Sequence, residues 1–165
     1  MKHTLSSLAA RIERLKTDLL PKENPPKIAL EEQNFRIDSS GWEKKEQNGL
    51  PYFENPEGDV WELRGRQLFT WPAAMRETKE AGKRMPTDEE FSLILRAKND
   101  MPNPPFAGLR ATSGTFAYQG TLDYFWSSTE SSTNAWNRNL NSGNATVNRN
   151  ANNQAYGFSV RCLKD

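Results

Sequence analysis

Cysteine and histidine are almost absent from this chain of 165 residues, which contains only Cys162 and His3. A single cysteine excludes an intrachain disulfide and predicts a protein that folds in a reducing cytoplasm. With one histidine, in the N-terminal tail, the sequence has no cluster of His, Cys and Glu that would bind a transition metal. We therefore expect no metal site and no other cofactor.

Long apolar runs and an excess of charge of one sign are also missing. Apolar residues make up 35% of the chain, and no stretch approaches the roughly 20 apolar residues that span a bilayer. The first twenty residues lack the unbroken apolar region of a signal peptide, so we expect synthesis in the cytoplasm. The formal net charge is +1. We therefore predict neither membrane insertion nor a nucleic-acid partner.

The sequence also lacks a recognisable catalytic constellation. Cys162 lies in the same inward alternation as Phe158, which predicts a buried structural thiol rather than a nucleophile. Residues 88–90 are acidic and fall in the first turn of a predicted helix, where the helix dipole favours carboxylates. Glu57 and Asp59 lie in a turn and do not match the spacing of an EF-hand calcium loop. We therefore expect a protein that is not an enzyme.

The N-terminal region carries one apolar seam, whose members are spaced three or four residues apart: Leu5, Leu8, Ile12, Leu15 and Leu19. This spacing predicts an amphipathic helix over residues 1–20. The seam either packs on the rest of the protein or forms a short coiled coil, which would make a homo-oligomer through residues 4–20. Residues 21–40 contain three prolines amid charges and predict a linker or an extended entry segment, so a folded domain is expected over residues 41–165.

Two helices are predicted early in that domain. Thr70 is expected to begin the first helix, because Pro72 falls in its first turn and Gly82 follows its last. Thr87 and Glu90 form a T-x-x-E capping box, which predicts the start of the second helix.

Short strands are predicted before and after the two helices. Residues 59–63 follow an Asn-Pro-Glu-Gly turn and suit a strand. Residues 99–115, rich in Pro, Asn, Gly, Ser and Thr, predict a long loop. The last third contains four β segments bounded by turn residues, at 124–128, 135–140, 145–151 and 156–162. The last of these alternates apolar and polar residues and is expected to be half-buried.

Nine of the twenty residues from 134 to 153 are asparagine. Side chains alternate across a strand, so Trp136, Arg138 and Leu140 are predicted on one side of a hairpin and the asparagines on the other. Ser142-Gly143 suits the turn. Asparagine is a poor strand former, which indicates selection for something besides folding. The stretch is open to three interpretations: a solvated polar face, a low-complexity tract, or a surface that contacts a ligand.

Three segments carry a family resemblance: 82–91 (GKRMPTDEEF), 108–130 (GLRATSGTFAYQGTLDYFWSSTE) and 156–165 (YGFSVRCLKD). Together they resemble the C-type-lectin-fold domains called the Fibrobacter succinogenes major paralogous domain, and the variable proteins of diversity-generating retroelements. The resemblance covers residues 58–165. It implies an α+β C-type lectin fold, with two helices packed on short, twisted antiparallel sheets joined by long loops, here preceded by the N-terminal helix.

The resemblance also implies a variable region at residues 134–153. In such retroelements a reverse transcriptase miscopies template adenines, and asparagine codons begin with two adenines, so template asparagines become many residue types. Ser142, Ala145 and Thr146 would be template asparagines that have already been changed. The ligand-binding positions implied are Asn134, Trp136, Asn137, Asn139, Asn141, Ser142, Asn144, Thr146, Asn148, Asn150, Asn152 and Asn153, with supporting aromatics at Tyr118, Tyr124 and Tyr156.

The resemblance implies that this chain is a binding protein without catalytic activity, carried by a phage or at a cell surface. Its implied partner is a protein or cell-surface receptor. The alternative is a carbohydrate-binding or adhesion module with fixed residues, in which Trp136 and Tyr156 stack on a glycan. Calcium-dependent sugar binding is not expected, because Trp136-Asn137 is followed by Arg138 where calcium-dependent lectins carry aspartate. The formylglycine-generating enzymes that share the fold use two cysteines, and this chain has one.

Overall fold

A computed structural model describes residues 28–164, so the predicted N-terminal helix and its oligomer lie outside the described residues. The described chain forms three antiparallel sheets, ordered β1-β2-β3-β4, β5-β6 and β7-β8-β9. The elements in chain order are β1 Glu43–Gln47, β2 Leu50–Glu54, β3 Val60–Leu63, β4 Arg66–Phe69, α1 Trp71–Glu80, α2 Asp88–Ile94, a 3-10 turn Lys98–Asp100, β5 Leu109–Arg110, β6 Phe116–Ala117, β7 Leu122–Ser131, β8 Asn134–Asn141 and β9 Val147–Asn153.

The predicted α+β C-type lectin fold is wrong for this chain. The described residues are mostly β: nine strands in three sheets carry the structure, and the two α-helices span only ten and seven residues. Sequence reasoning missed β1, β2 and β4 because these strands are only four or five residues long and β1 (EKKEQ) contains no apolar residue. Segments this short give a weak periodic signal.

Both helices begin where the sequence predicts. Thr70 caps α1 by accepting a hydrogen bond from the Ala73 N–H, and Gly82 follows the helix in a left-handed conformation. At α2, Thr87 Oγ1 accepts from the Glu90 N–H at 3.1 Å, and the Glu90 carboxylate accepts from the Thr87 N–H at 2.9 Å. The predicted capping box is therefore confirmed.

The strand predictions are confirmed at four of five places and wrong at the fifth. The segments at 59–63, 124–128, 135–140 and 145–151 fall on β3, β7, β8 and β9, and β8 and β9 form the predicted hairpin. Residues 156–162 form only isolated bridges to Phe69, Arg110 and Phe125. They thread between the sheets and are buried on both sides, which an alternating pattern does not reveal. Part of the predicted 99–115 loop is β5.

The core lies between the sheets and the two helices. Its largest cluster joins Trp71 and Ala74 of α1 to Trp126 of β7 and to Phe158. A second cluster packs Phe91 of α2 against the three-stranded sheet. The entry segment also belongs to the core, because Leu30 and Phe35 are buried, and the N–H of Phe35 donates to the Val160 carbonyl at 2.8 Å. Within residues 28–164 no helix is long and apolar enough to cross a bilayer.

Candidate binding surface

The register of the three-stranded sheet assigns its side chains to two sides. Tyr124 lies opposite Asn139, and Asn139 lies opposite Asn148, so these residues share one side. By alternation that side also carries Asn150 and Asn152 of β9. The other side faces α2. The predicted separation of Asn137, Asn139 and Asn141 from the set of Trp136, Arg138 and Leu140 is therefore confirmed.

Three tyrosines lie near the asparagine side: Tyr124 is in β7, and Tyr118 and Tyr156 are outside the strands. Tyr124 and Tyr156 both stack on Phe158, with ring centroids 4.8 Å and 5.6 Å away. Burial raises the pKa of the Tyr124 phenol, and the phenols of Tyr118 and Tyr156 raise it further. We define the amide–tyrosine face by these tyrosines and by the amides of β9 on the same side of the sheet, which are exposed or partly exposed: Tyr118, Tyr124, Tyr156, Asn148, Asn150 and Asn152.

Tyr118 is the most prominent member of this face. Its side chain is 56% exposed, and its backbone is left-handed, with φ of 64°. Such a conformation is uncommon for a residue with a side chain. Gly108 supports the turn, because a Cβ there would lie 2.2 Å from the Ala117 carbonyl oxygen. The backbone on either side of Tyr118 therefore approaches residue 108 at a distance that only glycine permits.

The structure divides the asparagines of the hairpin into two groups. Asn137 is fully buried, and its Nδ2 donates to Asn152 Oδ1 at 2.9 Å. Asn139 is 7% exposed, and its Oδ1 accepts from Asn148 Nδ2 at 3.0 Å. Asn148 and Asn150 are exposed. The same residue type therefore supports the interior of the hairpin at one position and covers its surface at another.

Trp136 does not belong to the amide–tyrosine face. It lies on the side that faces α2, and the Arg149 guanidinium stacks on its ring at 3.6 Å. Asp88, the first residue of α2, accepts hydrogen bonds from Arg149 at 2.6 Å and from buried Arg138 at 2.6 Å. The two arginines hold the pKa of the Asp88 carboxyl below its usual value. This cluster fastens the hairpin to the helix.

The remaining predicted contact residues lie at the two ends of the hairpin. Asn134 and Asn153 form a cross-strand pair at one end, on the side of Trp136. At the other end the connecting turn is stabilised by its own side chains: Asn141 Oδ1 accepts from the Gly143 N–H, and Asn144 Oδ1 accepts from Thr146. Ser142, Asn144 and Thr146 are exposed there. These positions adjoin the amide–tyrosine face without belonging to it.

Sequence reasoning did not identify the buried charges behind the sheet. Asp123 is fully buried; its carboxylate accepts from the Phe106 N–H at 2.8 Å and from Ser159 Oγ at 3.4 Å. Burial raises its pKa to about 7. Arg161 is also fully buried and donates to Asn34 Oδ1 and to backbone carbonyls of residues 31, 102 and 103. Both groups sit in the interior, where they order the loops.

The carboxylates singled out in the sequence are engaged in structural contacts. Asp59 binds the guanidinium of Arg76 at 2.7 Å, and Glu57 accepts from Asn55 Nδ2 at 3.1 Å. Glu90 binds Arg84, which lowers the pKa of the Glu90 carboxyl to about 2. Within the described part of the chain, no group of three His, Cys, Asp or Glu side chains is arranged to hold a metal ion.

Comparison with protein-family models, with curated proteins and with solved structures gives no match for this chain. The geometry of the amide–tyrosine face is therefore what bears on function.

Proposed function

We propose that this chain is a ligand-binding protein without catalytic activity, and that its amide–tyrosine face contacts a protein or cell-surface receptor. The observation that carries the proposal is that the exposed Asn148 and Asn150 lie on the same side of the sheet as Tyr124, and that Tyr124 and Tyr156 both stack on the buried ring of Phe158. Tyrosine supplies large contact area at low entropic cost, and asparagine supplies adaptable hydrogen bonds. Antibody contact surfaces combine the same two residue types on a rigid scaffold.

The distribution of charge supports a polar, uncharged contact. The strands β7, β8 and β9 contain four charged side chains, and Asp123, Arg138 and Arg149 lie on the side away from the amide–tyrosine face. Glu130, at the far end of β7, is the fourth. A receptor surface bound here would be recognised by hydrogen bonds and aromatic contact rather than by charge pairing, so binding is expected to change little with salt.

We further propose that the exposed asparagines are positions of natural variation. Asn148 and Asn150 are exposed, and neither side chain is part of a core cluster. Substitutions on an exposed strand surface usually change stability by less than about 0.5 kcal/mol. These positions therefore accept many residue types while the strand keeps its register. Asn137 and Asn139, although predicted as variable from the resemblance, are buried and are excluded from the proposed contact set.

A second candidate function is a carbohydrate-binding module whose residues are fixed. The observation in its favour is the exposed ring of Tyr118 beside Tyr124 and Tyr156, because sugars stack on aromatic rings and bond to amides. Trp136 is not available for this role from the same side of the sheet.

Sequencing the gene across a natural population tests the proposal. The codons for Asn148 and Asn150 are expected to differ between individuals, while those for Asn137, its partner Asn152 and Trp136 stay constant. Asn137 is the matched control, because it has the same adenine-rich codon and lies on the same side of the hairpin. If all of these asparagines are as constant as the core, the variable-surface proposal fails, and binding to immobilised glycans then tests the fixed module.

A further inference from the structure

Strand β9 is the outer edge of the three-stranded sheet. The opposite strand, β7, is bridged to residues 108 and 159, whereas within residues 28–164 the pairing of β9 is with β8 alone. Proteins usually protect such edges with proline, lysine or a β-bulge. The sequence of β9, VNRNANN, contains neither residue, and its register with β8 is unbroken over all seven positions. An exposed edge without these protections is suited to accept another strand.

Hydrogen bonds on β7 identify which backbone groups of β9 face outward. Trp126 N–H donates to the Ser159 carbonyl, and the Ser159 N–H donates to the Tyr124 carbonyl, so these two β7 residues turn their backbone away from β8. Their partners on β8, Asn137 and Asn139, therefore turn theirs toward β9. It follows that the even-numbered residues of β9 bond to β8. The residues whose backbone faces outward are Val147, Arg149, Ala151 and Asn153.

These four outward-facing residues are symmetric about Asn150. We propose that β9 pairs antiparallel with β9 of a second copy of this chain, around a two-fold axis at Asn150, to form a continuous six-stranded sheet. In that register Val147 bonds to Asn153 of the second copy, and Arg149 bonds to Ala151 of the second copy. The outward-facing N–H groups then all have a backbone partner, and the Asn153 carbonyl, which already accepts from the Tyr156 N–H at 3.1 Å, accepts a second hydrogen bond through its other lone pair. This inference goes beyond the proposed function and does not rest on it.

The side chains of β9 are compatible with pairing to a second copy. Arg149 lies opposite an alanine, so no like charges are directly opposed, and its own charge is already bound by Asp88 at 2.6 Å. Asn150 meets Asn150 of the second copy in a non-hydrogen-bonded pair, where opposing side chains are closest. Each asparagine amide can donate to the other and accept from it, so the pair is self-complementary.

The edge is also held rigid at both ends. The Ala145 carbonyl, just before β9, accepts from the Lys98 N–H at 3.0 Å, and the Gln154 carbonyl, just after it, accepts from the Trp71 N–H at 3.0 Å. A strand that is already ordered loses little further entropy when it pairs. The axis is perpendicular to the sheet, so the amide–tyrosine faces of the two copies would lie on the same side and act as one bivalent surface.

Cysteine cross-linking of the full chain tests the register. Asn150→Cys places two thiols opposite each other at the axis, and mild oxidation is expected to give a covalent dimer. Asn148→Cys is the matched control, because it exposes a thiol on the same strand but faces Asn152 of the second copy. The native Cys162 is buried. Equal cross-linking of the two variants, or none in either, would overturn the proposed pairing.

Sedimentation of the full chain over a wide range of concentration tests the association itself. The wild type is expected to shift from monomer to dimer, and Asn150→Asp to weaken the dimer by about tenfold or more, since two carboxylates would face each other. Asn148→Asp adds the same charge without opposing it and is expected to retain most of the association. A monomer at all concentrations contradicts the proposal. So does a dimer unaffected by Asn150→Asp, which would indicate association through residues 4–20.

Discussion

Individual asparagines of the β8–β9 hairpin have opposite roles although they are chemically identical. Asn137 is enclosed, and its amide nitrogen is bonded to Asn152, while its Oδ1 has no partner among the described residues. Asn148 is exposed and bonds to Asn139 from the outside. Burial of an amide is tolerated only with hydrogen bonds, so the two positions are expected to respond differently to substitution.

The first prediction compares Asn137→Ala with Asn148→Ala in the full chain. Removing the buried amide leaves Asn152 without its donor and opens a small cavity, so the free energy of unfolding should fall by about 1–3 kcal/mol. The exposed substitution should cost less than about 0.5 kcal/mol. Urea denaturation followed by circular dichroism measures both values. Equal losses at the two positions would show that the hairpin is not divided as described.

The second prediction concerns Asp123, whose pKa is raised to about 7 by burial. Between the ordinary aspartate pKa of about 4 and pH 7, the folded state holds this proton more tightly than the unfolded state does. Wild-type stability should therefore fall as pH rises through that window. Asp123→Asn cannot ionise but can still accept from the Phe106 N–H, so it should lack this fall.

The measurement for Asp123 is the free energy of unfolding of both proteins from pH 4 to pH 8. The difference between them is expected to change by a few kcal/mol in favour of the variant as pH rises. A constant difference across this range would contradict a raised pKa for the buried carboxyl.

Among the structural elements, helix α2 determines the position of the hairpin. Its first residue, Asp88, binds Arg138 of β8 and Arg149 of β9, and Phe91 packs against the same sheet. The capping box at Thr87 and Glu90 sets where the helix begins and so places Asp88 over the strands. The sequence predicts this helix and its cap. It does not predict the ion pairs, because residues 50 and 61 positions apart meet only in the folded chain.

The third prediction is that Asp88→Ala destabilises the protein by about 3 kcal/mol at neutral pH. The side chain of Arg138 is only 4% exposed, so loss of its carboxylate leaves a buried, unpaired charge. The pKa of Asp88 is lowered in the folded state, so its contribution is present above the ordinary pKa and is lost as pH falls. The difference in free energy of unfolding between wild type and variant, measured by denaturant titration, should therefore become smaller as the pH is lowered. Glu89→Ala, which removes an exposed carboxylate from the same first turn of α2, is the control.

At the scale of the whole molecule, sequence reasoning located the region of interest but misjudged the architecture. The alternation in residues 134–153 correctly separates the two sides of the hairpin. The predicted lectin-type fold is wrong because three sheets, including strands with weak periodicity such as β1 and β2, form most of the described chain. Which asparagines are buried could not be predicted from the sequence. Asn137 lies opposite Trp126, and its burial depends on a core cluster whose segments are distant in sequence.

The most direct measurement of the central claim is a saturation scan of residues 134–153, with each variant of the displayed full chain scored for folding by resistance to protease. Asn148, Asn150 and the turn residue Asn144 are expected to accept nearly all residue types. Asn137, Arg138 and Leu140 should accept few. If Asn137 and Asn148 tolerate substitution equally, the division of the hairpin into a fixed interior and a replaceable contact surface is contradicted.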